Sequence, residues 1–254
     1  MQHQTQLENY LRQFRLATFI QNYQAYAQDA ARTGLSYEQY LLALCTAEAQ
    51  QRDLHRVQHC IATAKFPVVK DLASFDFSAV QNVSKAQVMQ LAQGGYMAKA
   101  ETIILIGNPG LGKTHIATGL ALAACKQGKR VRFYGVASLV NDLLSAQKDL
   151  RLSKLMSRFV KLDLLVLDEL GFVPFGKDGG QLLFQLCSDL NERVSIIVTT
   201  NLRFADWNHV FNNERMTAAL LDRLTHKACI LEFVGESYRF RQRLQQEETK
   251  TRVG

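Results

Sequence analysis

Gly107-Asn108-Pro109-Gly110-Leu111-Gly112-Lys113-Thr114 is the stretch whose reading decides the fold. Its spacing is G-x-x-x-x-G-K-[ST]. Glycines let backbone N–H groups turn inward around a phosphate with no Cβ in the way, and Pro109 stiffens the loop. Lys113 is spaced to reach the β- and γ-phosphates, and the Thr114 hydroxyl to ligate Mg²⁺. The flanks agree with this reading. Thr102-Ile-Ile-Leu-Ile106 predicts a buried strand, and His115 to Lys126 predicts an Ala/Leu-rich helix. The phosphates would then lie at a helix N-terminus, where the dipole and free N–H groups favour anions. Residues 107–114 and the adjoining His115 form the candidate nucleotide-binding set.

Working outward, strand-like runs recur at 102–106, 130–136, 162–167, 194–200 and 228–233, with helical stretches between them. Such alternation predicts an α/β fold with a mostly parallel sheet covered on both faces. Leu162-Asp-Leu-Leu-Val-Leu-Asp168-Glu169 is an apolar strand ending in two carboxylates. Acids at the carboxyl end of a parallel strand face the ligand crevice. Asp168 is thus the candidate Mg²⁺ ligand with Thr114, and Glu169 the group that orients the attacking water. Ser195-Ile-Ile-Val-Thr-Thr-Asn201 is the next strand, and Asn201 at its tip is a candidate sensor of the γ-phosphate. A turn-forming Asn is the competing reading. Two arginines are candidates for charge stabilisation: Arg223, acting in trans on a neighbour's nucleotide, and Arg239, acting in cis. Each also reads as a surface ion pair.

The chain has 254 residues, 47% of them hydrophobic and 21% charged, enough for one large or two modest domains. No apolar run approaches the ~18 residues of a membrane span, and the N-terminus lacks a signal-like apolar core, so the expectation is a cytoplasmic protein with no membrane partner. Cys45, Cys60, Cys125, Cys187 and Cys229 are scattered singly, as reduced thiols are. His55, His59 and Cys60 fall near one another, but no fourth zinc ligand stands at a suitable spacing.

The net charge is +7, and residues 126–161 alone hold nine Lys/Arg against Asp142 and Asp149, which is also +7. A concentrated cationic stretch suits phosphate-backbone contact; a solvated helix face is the plain alternative.

Residues 1–66 predict a helical N-terminal domain. Leu7, Leu11 and Phe14 share a face, Phe19, Tyr23 and Tyr26 continue it, and Gly34 ends the run. Ser36-x-x-Gln39 is a capping box opening a second long helix. Its expected stripe is Tyr40, Leu41, Leu44, Leu54, Val57 and Ile61, and Pro67 closes it. Residues 67–241 predict the nucleotide-binding domain, and 242–254 a polar, disordered tail.

Several motifs together resemble the AAA+ ATPases of the IstB/DnaC type. They are the helical N-terminal region, Phe75-Asp76-Phe77, the phosphate loop, Asp168-Glu169-Leu-Gly, Thr-Thr-Asn201, Trp207, Ala-Leu-Leu-Asp222-Arg223-Leu224 and Gly235-Glu-Ser-Tyr-Arg239. The resemblance implies a five-stranded parallel sheet of order 5-1-4-3-2 and a short or missing C-terminal lid. It implies ATP and Mg²⁺ sandwiched between subunits of a homo-oligomer, and hydrolysis to ADP. It also implies duplex DNA as partner, with a helical segment after the second strand touching it. Here that position is Ser138 to Lys161, the segment already singled out by charge, so Lys148, Arg151, Lys154 and Arg158 are the candidate DNA contacts. Relatives of this kind select and deform target DNA for transposition and recruit a transposase. A helicase loader of the DnaC type, a small-molecule kinase and a non-hydrolysing nucleotide switch are the other readings.

Overall fold

Five parallel strands form one sheet in the order β2-β3-β4-β1-β5, which is the expected 5-1-4-3-2 read from the other edge. The computed structural model describes residues 2–171, 175–211, 213–235 and 237. In chain order the elements are α1 (Gln2–Gln13), α2 (Ala17–Thr33), α3 (Tyr37–Ala64), α4 (Lys85–Ala92), α5 (Gly95–Ala98), β1 (Thr102–Gly107), α6 (Lys113–Lys126), β2 (Val131–Gly135), α7 (Val136–Lys148), α8 (Leu152–Phe159), β3 (Leu164–Leu170), α9 (Lys177–Leu190), β4 (Ser195–Thr200), α10 (Asn208–Phe211), α11 (Glu214–Thr225) and β5 (Ala228–Phe233). The chain divides into two compact units between His59 and Cys60, a point inside α3.

In the second unit, side chains alternate between the sheet's two faces. Ile104, Leu165, Leu167, Ile196 and Val198 meet α7, α9 and α11 in one core. Ile103, Leu105, Leu164, Val166 and Ile197 meet Ile116, Leu120 and Ala124 of α6 in the other. Burial on both faces explains why these strands read as unbroken apolar runs. β1 lies between β4 and β5, pairing Ile106 with Thr200 and Gly107 with Phe233. Its carboxyl end therefore opens inside the sheet, beside the end of the central strand β4. β3 runs to Leu170, three residues past the expected limit, because a register shift between Leu167 and Leu170 lets pairing with β4 resume after an interruption.

The first unit holds α1, α2 and α3 as far as His59. Gly34 ends α2 in the left-handed conformation, with φ 71°. The capping box is present: Gln39 N–H donates to Ser36 Oγ at 3.3 Å, and Ser36 N–H to Gln39 Oε1 at 2.9 Å. The apolar stripes are corrected. Leu11 and Leu44 are buried, but Leu7, Phe14, Leu41 and Leu54 are exposed. Three helices offer too little opposing surface to cover every apolar position on a helix as long as α3. The buried Glu48 carboxylate accepts from Thr18 N–H at 2.9 Å and Arg52 Nε at 2.6 Å, tying α2 to α3.

Candidate nucleotide-binding site

The loop from β1 to α6 is shaped by glycine at two positions that no other residue fits. Gly107 has φ 147°, and a Cβ there would stand 2.2 Å from the Phe233 carbonyl oxygen. Gly112 is the left-handed N-cap of α6 at φ 86°, and a Cβ there would meet the Phe75 ring at 2.5 Å. The first α6 bond runs from Ile116 N–H to Gly112 O, so the N–H groups of Lys113, Thr114 and His115 have no intrahelical acceptor and mark an anion site. Asn108 and Pro109 are exposed at the loop tip, Gly110 is half-buried, and Leu111 is buried, anchoring the loop to the core.

Lys113 is buried, and its Nζ donates to the carbonyls of Gly107 at 2.6 Å and Asn108 at 2.8 Å. The ammonium is thus held inside the curve of the loop, where a phosphate charge would meet it. Thr114 Oγ1 donates to Asp168 Oδ1 at 2.9 Å, and Thr199 Oγ1 donates to the same oxygen at 2.6 Å. Burial raises the Asp168 carboxyl above its ordinary range, opposed by those two hydroxyls and by the Lys113 charge. A carboxylate desolvated in this way gains from a cation. Thr114 Oγ1 and Asp168 are hard oxygen donors side by side, a set that fits Mg²⁺.

Glu169 has a left-handed backbone, φ 61°, at the β3 irregularity, and its side chain is exposed while its neighbours Asp168 and Leu170 are buried. The kink costs roughly 1 kcal/mol or more in a non-glycine residue and turns the second carboxylate out of the sheet toward solvent. Its N–H donates to Thr199 Oγ1 at 2.9 Å. One hydroxyl therefore joins both acids. Thr199 was missed in the sequence, where it looks like a β-branched strand residue; the only signal was two threonines directly before Asn201. Asn201 follows Thr200, which pairs with Ile106 of β1, so it lies at the loop's edge.

His115 sits beside the loop but faces a different neighbour. Its Nε2 lies 2.9 Å from Asp71 O and 3.3 Å from Ser74 Oγ, and its ring stands edge-on to Phe75 at 5.2 Å. Phe75 in turn packs edge-on to Phe77 at 4.8 Å. The segment from Asp71 to Phe77 thus lines the start of α6.

Arg223 is not brought to this cluster. Its guanidinium lies 5.0 Å above the Phe184 ring and its Nη1 donates to Ala219 O at 3.3 Å. Arg239 and the tail from 242 lie outside the described residues.

In the cationic segment, Lys148 ends α7, Arg151 precedes α8, and Lys154 and Arg158 share one α8 face one turn apart. All four are exposed. Arg151 pairs with Asp149, while Lys148, Lys154 and Arg158 have no carboxylate in ion-pair range among the described residues. No helix among those residues is long and apolar enough to cross a membrane.

Comparison with known proteins follows the same line. Residues 9–246 match the family described as IstB-like ATP binding protein. A "Putative insertion sequence ATP-binding protein" of Sinorhizobium fredii is 40% identical over 91% of this chain and 78% of its own length. The "Insertion sequence IS21 putative ATP-binding protein" of Pseudomonas aeruginosa is 32% identical over 94% of this chain and 90% of its own. Among solved structures, AMPPCP-bound DnaA from Aquifex aeolicus superposes with a TM-score of 0.57 at 17% identity, over 72% of this chain and 56% of its own. DnaI superposes with a TM-score of 0.55 at 18% identity, over 65% of this chain and 91% of its own. At that identity the two structures bear on the fold, which is that of AAA+ proteins.

Proposed function

Because this chain belongs to the IstB-like ATP binding protein family, we propose that it is a cytoplasmic, Mg²⁺-dependent ATPase that binds and deforms duplex DNA and helps a transposase engage its target. The observation that carries the reading is the cluster Thr114, Asp168, Thr199 and Glu169 at the mouth of the phosphate loop. A phosphate loop alone binds nucleotide. A buried acid bonded to the loop threonine, followed by an exposed acid turned outward by a strained backbone, supports hydrolysis as well.

In the proposed reaction, Lys113 exchanges the carbonyls of Gly107 and Asn108 for the β- and γ-phosphates. The N–H groups at the α6 terminus hold the phosphate oxygens. Thr114 and Asp168 would hold Mg²⁺, which supplies neutralisation of the phosphate charge. Glu169 orients a water in line with the γ-phosphorus and draws off its proton as the bond to the β–γ bridging oxygen breaks, giving ADP and phosphate. Asn201 senses the γ-phosphate from the β4 tip. Arg223, which has no carboxylate partner among the described residues, serves a neighbouring subunit's nucleotide in the homo-oligomer.

Lys148, Arg151, Lys154 and Arg158 contact the DNA backbone, and the helical residues 1–66 bind DNA or the partner protein. Names of the relatives, which place them in insertion sequences, support the transposition setting. Five free thiols support a reducing compartment.

The decisive experiment is Glu169→Gln. It should bind ATP, fail to turn it over and accumulate as a DNA-bound oligomer; unchanged turnover refutes the mechanism. A pull-down with the wild type that retains replicative helicase in place of transposase would replace the transposition reading with a helicase loader.

A further inference from the structure

The link between α7 and α8 carries an anomaly that ATP hydrolysis does not use. α7 closes with a paired C-terminal turn: Leu150 N–H donates to Gln147 O at 3.1 Å, and Arg151 N–H to Ala146 O at 2.7 Å. That motif puts the first residue beyond the cap in the left-handed region, where glycine is favoured because it has no Cβ to clash. At the equivalent turn, α2 uses Gly34, with φ 71°. α7 uses Leu150, with φ 55°. Six non-glycine residues have positive φ among the described residues, and the other five are Arg15, Lys65, Ala100, Glu169 and Glu192, all charged or small. Leu150 is the one large apolar residue in the set. Its side chain gains nothing within the chain, being 92% exposed, the most exposed large hydrophobic residue described. The chain thus accepts both a strained backbone and an unburied side chain at one position.

Cations flank it along the chain, with Asp149 paired to Arg151 between them. Lys148 and Arg151 lie within two residues, and Lys154 and Arg158 follow on α8, all exposed. An isolated apolar tip among phosphate-seeking side chains matches one kind of occupant. Proteins that kink a duplex hold its backbone with basic residues while an aliphatic side chain enters between two base pairs from the minor groove. A protein partner would instead be expected to meet a contiguous apolar patch rimmed by polar groups. The residues beside Leu150 are Asp149 and Arg151.

We propose that Leu150 is a wedge that enters a base-pair step of bound duplex DNA, unstacks it, and sets the position of a kink. The proposal rests on the reading of this segment as a DNA interface and adds to it the atom group that deforms the helix. Held by the rigid ends of α7 and α8, the side chain is presented at a fixed height above the phosphates that Lys148, Lys154 and Arg158 grip. No sequence-specific hydrogen bond is involved. Preference would fall on steps that unstack at low cost, such as TA and CA/TG.

The test uses the full chain with ATP and Mg²⁺, and short duplexes bearing 2-aminopurine at a central TA step and a dye at each end. Wild-type protein should raise the 2-aminopurine fluorescence and shorten the end-to-end distance. Leu150→Gly, which suits the backbone at this turn and so should fold, should lose both signals while duplex affinity stays within about tenfold and the salt slope is unchanged. Leu150→Met should keep them. If Leu150→Gly retains the fluorescence rise, or if the wild type binds duplex without a rise, the wedge is overturned while the DNA interface stands. If Lys154→Ala with Arg158→Ala binds duplex with wild-type affinity and salt slope, the interface itself is wrong and the wedge falls with it. If Leu150→Gly alters self-association by sedimentation in the absence of DNA, Leu150 meets another copy of the chain, and the proposal is equally overturned.

Discussion

Replacing Thr199 by valine removes one hydroxyl and tests whether it organises both acids. The side chain is buried in β4, 1% exposed, and valine matches its shape. Two bonds disappear: donation to Asp168 Oδ1 at 2.6 Å and acceptance from Glu169 N–H at 2.9 Å. A hydrogen bond to a charged group contributes about 1.5–3 kcal/mol, and an orphaned buried donor costs about 1–3 kcal/mol. The Glu169 end is partly solvated, so the lower part of the second range applies. The added methyl returns up to about 0.8 kcal/mol. A net loss of about 2–3 kcal/mol is expected in urea denaturation at pH 7, with a melting midpoint lower by at least about 4 °C.

The pH dependence has a definite sign. Burial already raises the Asp168 carboxyl, and the Thr199 hydroxyl opposes that rise. Valine therefore lifts it further. A raised carboxyl stabilises the fold when protonated and loses that contribution as pH climbs through the folded-state value. The gap between variant and wild type should be full at neutral pH and narrow on acidification toward the ordinary carboxylate range. Thr199→Ser should keep most of the stability. A valine variant within about 0.5 kcal/mol of wild type, or a loss equal at both pH values, refutes the account.

Two further predictions concern other parts of the chain. Gly112→Ala puts a Cβ 2.5 Å from the Phe75 ring at a φ of 86°, so the loop or ring must move; a fluorescent ATP analogue should bind at least about tenfold more weakly, and unchanged binding would show the loop to be pliable. In the first unit, burial would raise the Glu48 carboxyl, but bonds from Arg52 and Thr18 outweigh it and hold it below the usual range. A lowered carboxyl contributes stability above its unfolded value and loses it as pH falls, so Glu48→Gln should cost about 2 kcal/mol at pH 7 and little near pH 3 in matched melts.

The sheet was legible because β1, β3 and β4 are buried on both faces and so read as apolar runs, and the half-buried β5, like β1, was delimited to within a residue. The phosphate loop, Thr114 and the acids at 168 and 169 were legible because their chemistry admits few residue types. What pattern cannot convey is a contact made across strands. Thr199 bonds residues thirty positions away through the pairing of β3 with β4, and the outward turn of Glu169 arises from a register shift that leaves no compositional trace. Helical periodicity failed at Leu41 and Leu54 for a related reason: it marks which side of a helix is apolar, and burial depends on whether another element arrives there. Charge density located the segment from Lys148 to Arg158, but the left-handed Leu150 at its centre needed backbone angles.

The stretch following β5 has a consequence for signalling. Gly107 leaves no room for a side chain against Phe233, Gly110 is equally close to Ser237, and the Val234 carbonyl accepts from Gln81 N–H at 3.1 Å. On the other side Gly112 stands as tightly against the Phe75 ring, so the phosphate loop is clasped between the segment that leads into the sheet and the segment that leaves it. A phosphate that reshapes the loop must press on both strands of that clasp, so occupancy becomes a mechanical input at two distant points of the polypeptide. Amide exchange at Gln81 should slow when nucleotide binds, although Gln81 lies outside the loop itself.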